Sequence, residues 1–225
     1  MTNMALVGTY NFWNVNISGH DQQTQLQDIK DFILDVWDSD IDNSNGDYSL
    51  SIGILPDEVN YTVPQSELCD NCTLGTRRDK CHEWAKNKSW YSNFDVVHFI
   101  DYYGGDPGTY GNAIIGGADH NNRSALTDCF WDWENQMGSS FDQVKIEGVA
   151  AHETLHAYCA YHDDSGVKSS CNSTVMYSPA AGTSGCYDNC ANPDEILKEC
   201  TSCTRSAVRC FIDSNFSRSS CPDCY

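Results

Sequence analysis

The stretch AAHETLHAYCAYHDD, residues 150–164, sets a geometric condition on any fold that uses its histidines together. On an α-helix His152 and His156 lie one turn apart on the same face, so both imidazoles can reach one ion. Glu153 sits beside them, about 100° around the helix from His152. His162 is ten residues beyond His152, and an unbroken helix would carry it about 15 Å along the axis. That is far outside a bond of about 2.1 Å to a shared ion. For the three histidines to converge, the helix has to stop between His156 and His162 and the chain has to turn back. Such turns favour a left-handed glycine. The residue seven positions after His152 is instead Cys159, which in that conformation costs about 1–2 kcal/mol.

A chain of 225 residues, 40% of them apolar, can bury a core as one domain of two lobes or as two small domains, one unit being the simpler reading. Thirty-two acidic against thirteen basic residues give a formal charge of −19, which disfavours nucleic acid and anionic membrane surfaces as partners. Thirteen cysteines are too many for a typical reduced cytosolic protein. Seven N-x-S/T sequons, at Asn16, Asn60, Asn71, Asn87, Asn122, Asn172 and Asn215, permit glycosylation. Together these predict a secreted, extracellular glycoprotein with disulfide bonds. No apolar run reaches the roughly 18 residues of a membrane span. No signal peptide precedes Thr2, which reads as a mature chain without its leader.

Along the chain, ALVGTYNFWNVNI reads as a strand and DQQTQLQDIKDFILDVWDSD as an amphipathic helix with Leu26, Ile29, Ile33, Leu34 and Trp37 on one side. YSLSIGIL is a strand, CHEWAKNK a short helix, and DVVHFIDYY, NAIIGGAD and ALTDCFW are three more strands separated by turn residues. The histidine-bearing helix is expected to begin near Phe141 with Asp142 as its N-cap. After Asp163 the predicted helix is NPDEILKECTSC, with Pro193 in its first turn. The pattern is a mixed sheet with helices followed by a small cysteine-stapled lobe.

At the histidine cluster the sequence resembles the metzincin zinc endopeptidases. His152, Glu153, His156 and His162 match the H-E-x-x-H-x-x-G-x-x-H pattern at every position except the glycine. The following Asp163 is similar to the adamalysin branch. STVMYSP, with Met176 fourteen residues after His162, looks like the Met-turn of that family. The resemblance implies an α+β fold: a catalytic domain with a mixed, mostly parallel sheet and helices, plus a small irregular disulfide-rich C-terminal lobe. Residues 1–162 would form the α/β subdomain ending in the zinc helix, and 163–225 the Cys-rich subdomain with the Met-turn. It further implies that His152, His156 and His162 bind one catalytic Zn²⁺ as neutral imidazoles, leaving a position for water. Glu153 would be the general base for peptide-bond hydrolysis, and Met176 would support the site without binding metal. The substrate, a protein or peptide, would lie extended along an edge strand in GNAIIGGAD, at Ala113, Ile114, Ile115, Gly116 and Gly117. The alternative is a non-catalytic zinc-binding or adhesive Cys-rich extracellular module. An intact Glu153 argues against it, because a module without turnover has no need of a general base.

Other features carry duller readings. CTSC at 200–203 and CPDC at 221–224 have zinc-ribbon spacing. Archaemetzincins carry a second, cysteine-bound zinc after their Met-turn, but the cysteine they place directly after the third histidine is Asp163 here, and disulfides are the preferred reading of this region. DSDIDNSNGD, residues 38–47, alternates acids like a calcium loop, yet Asn43 stands where glycine is needed and Ser49 where glutamate is needed. An exposed acidic turn is preferred, with calcium the weaker alternative. His20, His98 and His120 lack ligand spacing and are read as core or surface residues. Tyr177 is out of register for a zinc-binding tyrosine.

Overall fold

A computed structural model describes residues 2–106, 109–115, 124–130, 146–161, 200 and 202–217. The apolar runs form one five-stranded sheet from β1 (Thr2–Gly8), β2 (Leu50–Ile54), β3 (Val96–Asp101), β4 (Gly111–Ala113) and β5 (Ser124–Asp128), in the order β2-β1-β3-β5-β4. Every pairing is parallel except β4 with β5. Because successive strand residues point to opposite faces, the sheet has two cores. Met4, Leu6, Val96, Ile100 and Ala125 face one way, and Ala5, Val7, Val97, Phe99 and Leu126 face the other.

Helices cover both faces. On the first face lie α2 (Gln22–Val36) and α4 (Ile146–Ala157). α2 starts where the Asp21 carboxylate accepts the Thr24 N–H at 2.8 Å. It buries Leu26, Ile29, Ile33 and Val36 and runs into a wider π turn at Trp37–Ile41. On the second face is α3 (Leu74–Lys86), capped by Thr73. Its Arg77 forms a fully buried ion pair with Asp101 at the end of β3 and stacks over the Tyr103 ring at 4.0 Å.

Two expectations are corrected. The first strand stops at Gly8, and Tyr10–Asn14 is a short helix, α1. Thr9 decides this: its hydroxyl caps α1 by accepting the Phe12 N–H at 3.2 Å and donates to Asp101, 92 residues away. Near the C-terminal end the helix among the described residues is α5 (Ser202–Asp213), whereas residues 192–199 of the predicted helix lie outside them, as do Phe141 and Asp142. α5 buries Thr204, Ala207, Val208 and Phe211, and Val208 and Phe211 join the same core as α2 and α4. It rests on the π turn: Arg205 pairs with Asp40 at 2.7 Å, and Arg209 donates to the carbonyls of Ile41 and Asp42.

The acidic stretch 38–47 is thereby engaged. Asp40 also accepts the Cys200 N–H, and Asp42 accepts the N–H groups of Asn43 and Tyr48. Among the described residues no three metal-binding side chains converge there. Cysteines divide between states: Cys69 and Cys72 are bridged and Cys203 is disulfide-bonded. Cys81 and Cys200 are buried thiols, so at Cys200 the preferred disulfide reading is corrected, while nearby Cys203 is bridged. Burial pushes the Cys200 thiol up to about 12, an unfavourable setting for a metal-binding thiolate. No helix among the described residues is long and apolar enough to cross a membrane.

His98 links the layers. Fully buried on β3, its ring bonds Thr154 of α4 through Nδ1 at 2.9 Å and Thr127 of β5 through Nε2 at 2.8 Å. Burial pulls its pKa from 6.5 to about 3, and burial together with Lys86 pulls His82 to about 4. The unfolded chain binds the proton that the folded rings refuse, so this stabilisation is complete above about pH 6.5 and is lost as pH falls through the window towards the folded values. In urea unfolding between about pH 7.5 and about pH 5.5, stability is expected to fall below about pH 6.5, at up to about 1.4 kcal/mol per pH unit for each such histidine. His98→Gln should cost about 1–3 kcal/mol at about pH 7.5 and make the slope shallower. An unchanged slope would mean that His98 does not carry this acid sensitivity.

Candidate metal centre

α4 is buried nearly all round although it carries two glutamates and two histidines, of which Glu147 and His152 are half-buried. Gly148, Ala150 and Ala151 present little side-chain bulk between the sheet and α2, while Ile146, Val149 and Leu155 fill the core. With Thr154 held by His98, the rotation of α4 about its axis is set, and with it the direction of the neighbouring residues 152, 153 and 156.

His152 and His156 stand on successive turns with ring centroids 4.5 Å apart and planes at 89°. His156 is 5% exposed. Its Nδ1 lies 2.7 Å from the Ala160 carbonyl, an acceptor that calls for an N–H at Nδ1; in the neutral ring that tautomer places the lone pair on Nε2. This is the arrangement that orients and strengthens a metal-binding histidine. Two imidazoles so placed would, in their neutral form, suit Zn²⁺, which takes nitrogen ligands readily. The third sequence-predicted ligand, His162, lies outside the described residues, as do Met176, Gly116 and Gly117, and among the described residues no group of three metal-binding side chains occurs.

The helix stops where the histidine spacing requires. Cys159 has φ 78°, in the left-handed region. The Cys159 N–H donates to the His156 carbonyl and the Ala160 N–H to the Leu155 carbonyl, both at 2.9 Å. That pair of bonds is the Schellman ending, normally built around glycine. The same reversal delivers the Ala160 carbonyl to His156.

Glu153 is 7% exposed and rests against the edge strand. A Cβ built on Gly111 would come within 2.5 Å of Glu153 Cγ and 2.7 Å of its Oε1, so the carboxyl occupies the space a side chain there would take. Burial pushes the Glu153 carboxyl up to about 8, and Arg78 draws it down; a cation close by would act in the same sense as Arg78. From the opposite face of the sheet, Arg78 of α3 bonds the Asn112 side chain of β4.

The edge strand begins at Gly111, the head of the predicted stretch, and is shorter than expected. Of the predicted substrate-binding residues, Ala113 ends β4, Ile114 gives its N–H to the Ser124 carbonyl at 3.1 Å, and Ile115 begins a turn. The Asp128 N–H bonds the Tyr110 carbonyl at 2.9 Å, so the bonded pairs fall at residues 110, 112 and 114. Antiparallel alternation then turns the N–H and C=O of Gly111 and Ala113 away from β5, towards the side on which no strand pairs among the described residues. Sequence places His98 as a core or surface residue, and it is fully buried; Gly111 stands at the head of the predicted edge stretch without a role of its own, and nothing in the sequence singles out Thr154 or Arg78. Their roles depend on partners dozens of residues away, and no local pattern marks them.

No family model matches the chain, and no curated protein matches it. Among solved structures, metalloproteinase-II from Bacteroides fragilis is similar in fold: 10% identity, 91% of this chain and 50% of that chain covered, TM-score 0.52. A structure of a chaperone-substrate complex matches with 13% identity over 73% of this chain and 24% of that one, TM-score 0.45, too low to carry an argument. The chain spans about half the length of the metalloproteinase and about a quarter of the other. At this identity the first likeness shows a metalloproteinase-like fold and nothing finer.

The Cys159 turn gives a direct test. Cys159→Gly should keep the reversal and relieve the left-handed strain, whereas Cys159→Val, β-branched at φ 78°, should be less stable than the glycine variant by at least about 1–2 kcal/mol. Chemical denaturation of both variants measures the difference. Equal stabilities would mean the turn does not hold Cys159 in the left-handed region.

Proposed function

We propose that the chain is a secreted zinc-dependent endopeptidase in which His152, His156 and His162 hold one Zn²⁺ and Glu153 is the general base. The observation that carries this reading is the end of α4: a non-glycine residue accepts left-handed strain at the position where the chain must reverse for His162 to reach the ion. The hydrogen bond from His156 to Ala160 supports it further, because metal-binding histidines are held in this way through their other ring nitrogen. The Cys69–Cys72 bridge supports an oxidising compartment.

Bound there, Zn²⁺ supplies Lewis acidity, lowering the pKa of a water from 15.7 towards about 7 and polarising a carbonyl. The remaining work belongs to the protein. Gly111 and Ala113 offer backbone groups with which an extended peptide can pair as an added strand. Such a peptide runs past the Glu153 carboxyl, which packs against Gly111. Glu153 takes the proton of the attacking water and returns it to the leaving amine. Met176 supports the histidines without contributing a ligand.

Metal content and peptidase rate on a broad peptide library, measured for wild type, Glu153→Ala and His156→Ala in one buffer, test the assignment. Glu153→Ala is expected to keep its zinc and lose at least about 10²-fold in turnover. His156→Ala should lose zinc and some stability, and a chelator should silence the wild type. Full activity in Glu153→Ala would refute the mechanism. Zinc binding by the wild type without cleavage of any peptide, once any propeptide is excluded, would favour the binding module.

A further inference from the structure

On the face of the sheet that carries α3, a groove of about 750 Å³ is lined by α1, the 57–67 segment and the C-terminal half of α3. Among the described residues the two exposed large apolar side chains, Tyr10 at 40% and Val59 at 90% exposure, both line it. Val59 and Tyr10 together present apolar surface to this groove. Trp84 lines the groove as well and already takes a cation on its ring, the Lys88 ammonium at 4.4 Å. Four carboxylates surround these apolar groups: Asp57, Glu58, Glu67 and Glu83. Lys86 offsets Glu83 and Asp57 accepts the Thr62 hydroxyl, while Glu58 and Glu67 are exposed.

We propose that this groove docks a basic peptide segment carrying an apolar residue, with Val59 and Tyr10 receiving the apolar side chain and the carboxylates, which outnumber the one lysine of the lining, Lys88, receiving lysine or arginine. Charge complementarity selects the occupant: an acidic rim around an apolar floor repels acidic segments and leaves a purely polar one with nothing to cover Val59. The inference goes beyond the peptidase reading and does not need it, since docking requires no metal and no turnover.

Binding of a labelled peptide alternating lysine and leucine is followed by fluorescence anisotropy on the full chain, beside one peptide with glutamate for lysine and one with glycine for leucine. Peptide integrity is checked afterwards by mass spectrometry. Saturable one-to-one binding at least about tenfold tighter than that of either control is expected, weakening as salt rises. Glu58→Lys with Glu67→Lys should weaken it about tenfold or more. Asp28→Lys with Asp31→Lys, exposed acids on α2, makes the same change in net charge away from the groove and should leave most of the affinity. Equal losses in the two double variants would reduce the effect to the net charge of −19 and overturn the proposal, as would equal binding of the glutamate or glycine peptide. The sequon residue Asn87 also lines the groove. If protein secreted from eukaryotic cells is fully glycosylated at Asn87 and no longer binds the peptide, the occupant is the chain's own glycan and the proposal falls.

Discussion

His98 can donate to one threonine and accept from the other only while its ring is uncharged, and the residues it joins belong to three separate elements, β3, β5 and α4. A protonated ring would present two donors and would sit, charged, in a fully buried position. Another polar tie between α4 and its neighbours on that face is the bond from the Gln25 side chain of α2 to Glu147 at 2.7 Å, at the start of the helix; around Thr154 the packing is largely apolar. The orientation of His152, Glu153 and His156 follows from that bond to Thr154, since residues on one helix turn together.

The region around α4 accepts several unfavourable local states at once: a buried carboxyl, a nearly buried imidazole, a left-handed cysteine and a glycine in a strand. Each carries a cost, about 0.5–1 kcal/mol for the glycine and about 1–2 kcal/mol for the left-handed cysteine, and each is held by its surroundings. The Ala160 carbonyl holds His156, the two 2.9 Å bonds hold Cys159, and Glu153 fills the space beside Gly111. Such clustering is common where a surface is built for chemistry more than for stability. It sits on a scaffold that is conventional elsewhere, with strands that alternate cleanly between two cores.

What could be read from sequence was the part with local causes. The spacing of His152, His156 and His162 demanded a helix stop near Cys159, and the left-handed turn is there, because helix pitch is a short-range property. The amphipathic α2 was legible for the same reason. α1 was not: Tyr10 to Trp13 has the aromatic content of a strand, and the cap at Thr9 is decided by Asp101. In α5, Thr204, Ala207, Val208 and Phe211 follow a helical period, but the surrounding cysteines drew attention to bridges instead. The edge strand was drawn too long because Ile114 and Ile115 look strand-like, although pairing ends as the chain turns at Ile115. The fold was therefore legible as a class, and the site as a set of residue types. The contacts that position them, from His98, Gly111 and Arg78, span the sheet and leave no trace in neighbouring letters.

Gly111 carries a mechanical consequence. Because the Glu153 carboxyl leans directly on backbone, with Cγ where a Cβ would be, the freedom of that carboxyl is the freedom of the strand edge itself. An edge of three residues, beside which no strand pairs among the described residues, fluctuates more than a paired one. An extended chain that paired with Gly111 and Ala113 would stiffen the wall and damp the carboxyl in the same act. In a chain arranged like this, grip on a partner and steadiness of the proposed base would be one variable, and a loosely held partner would meet a loosely held base.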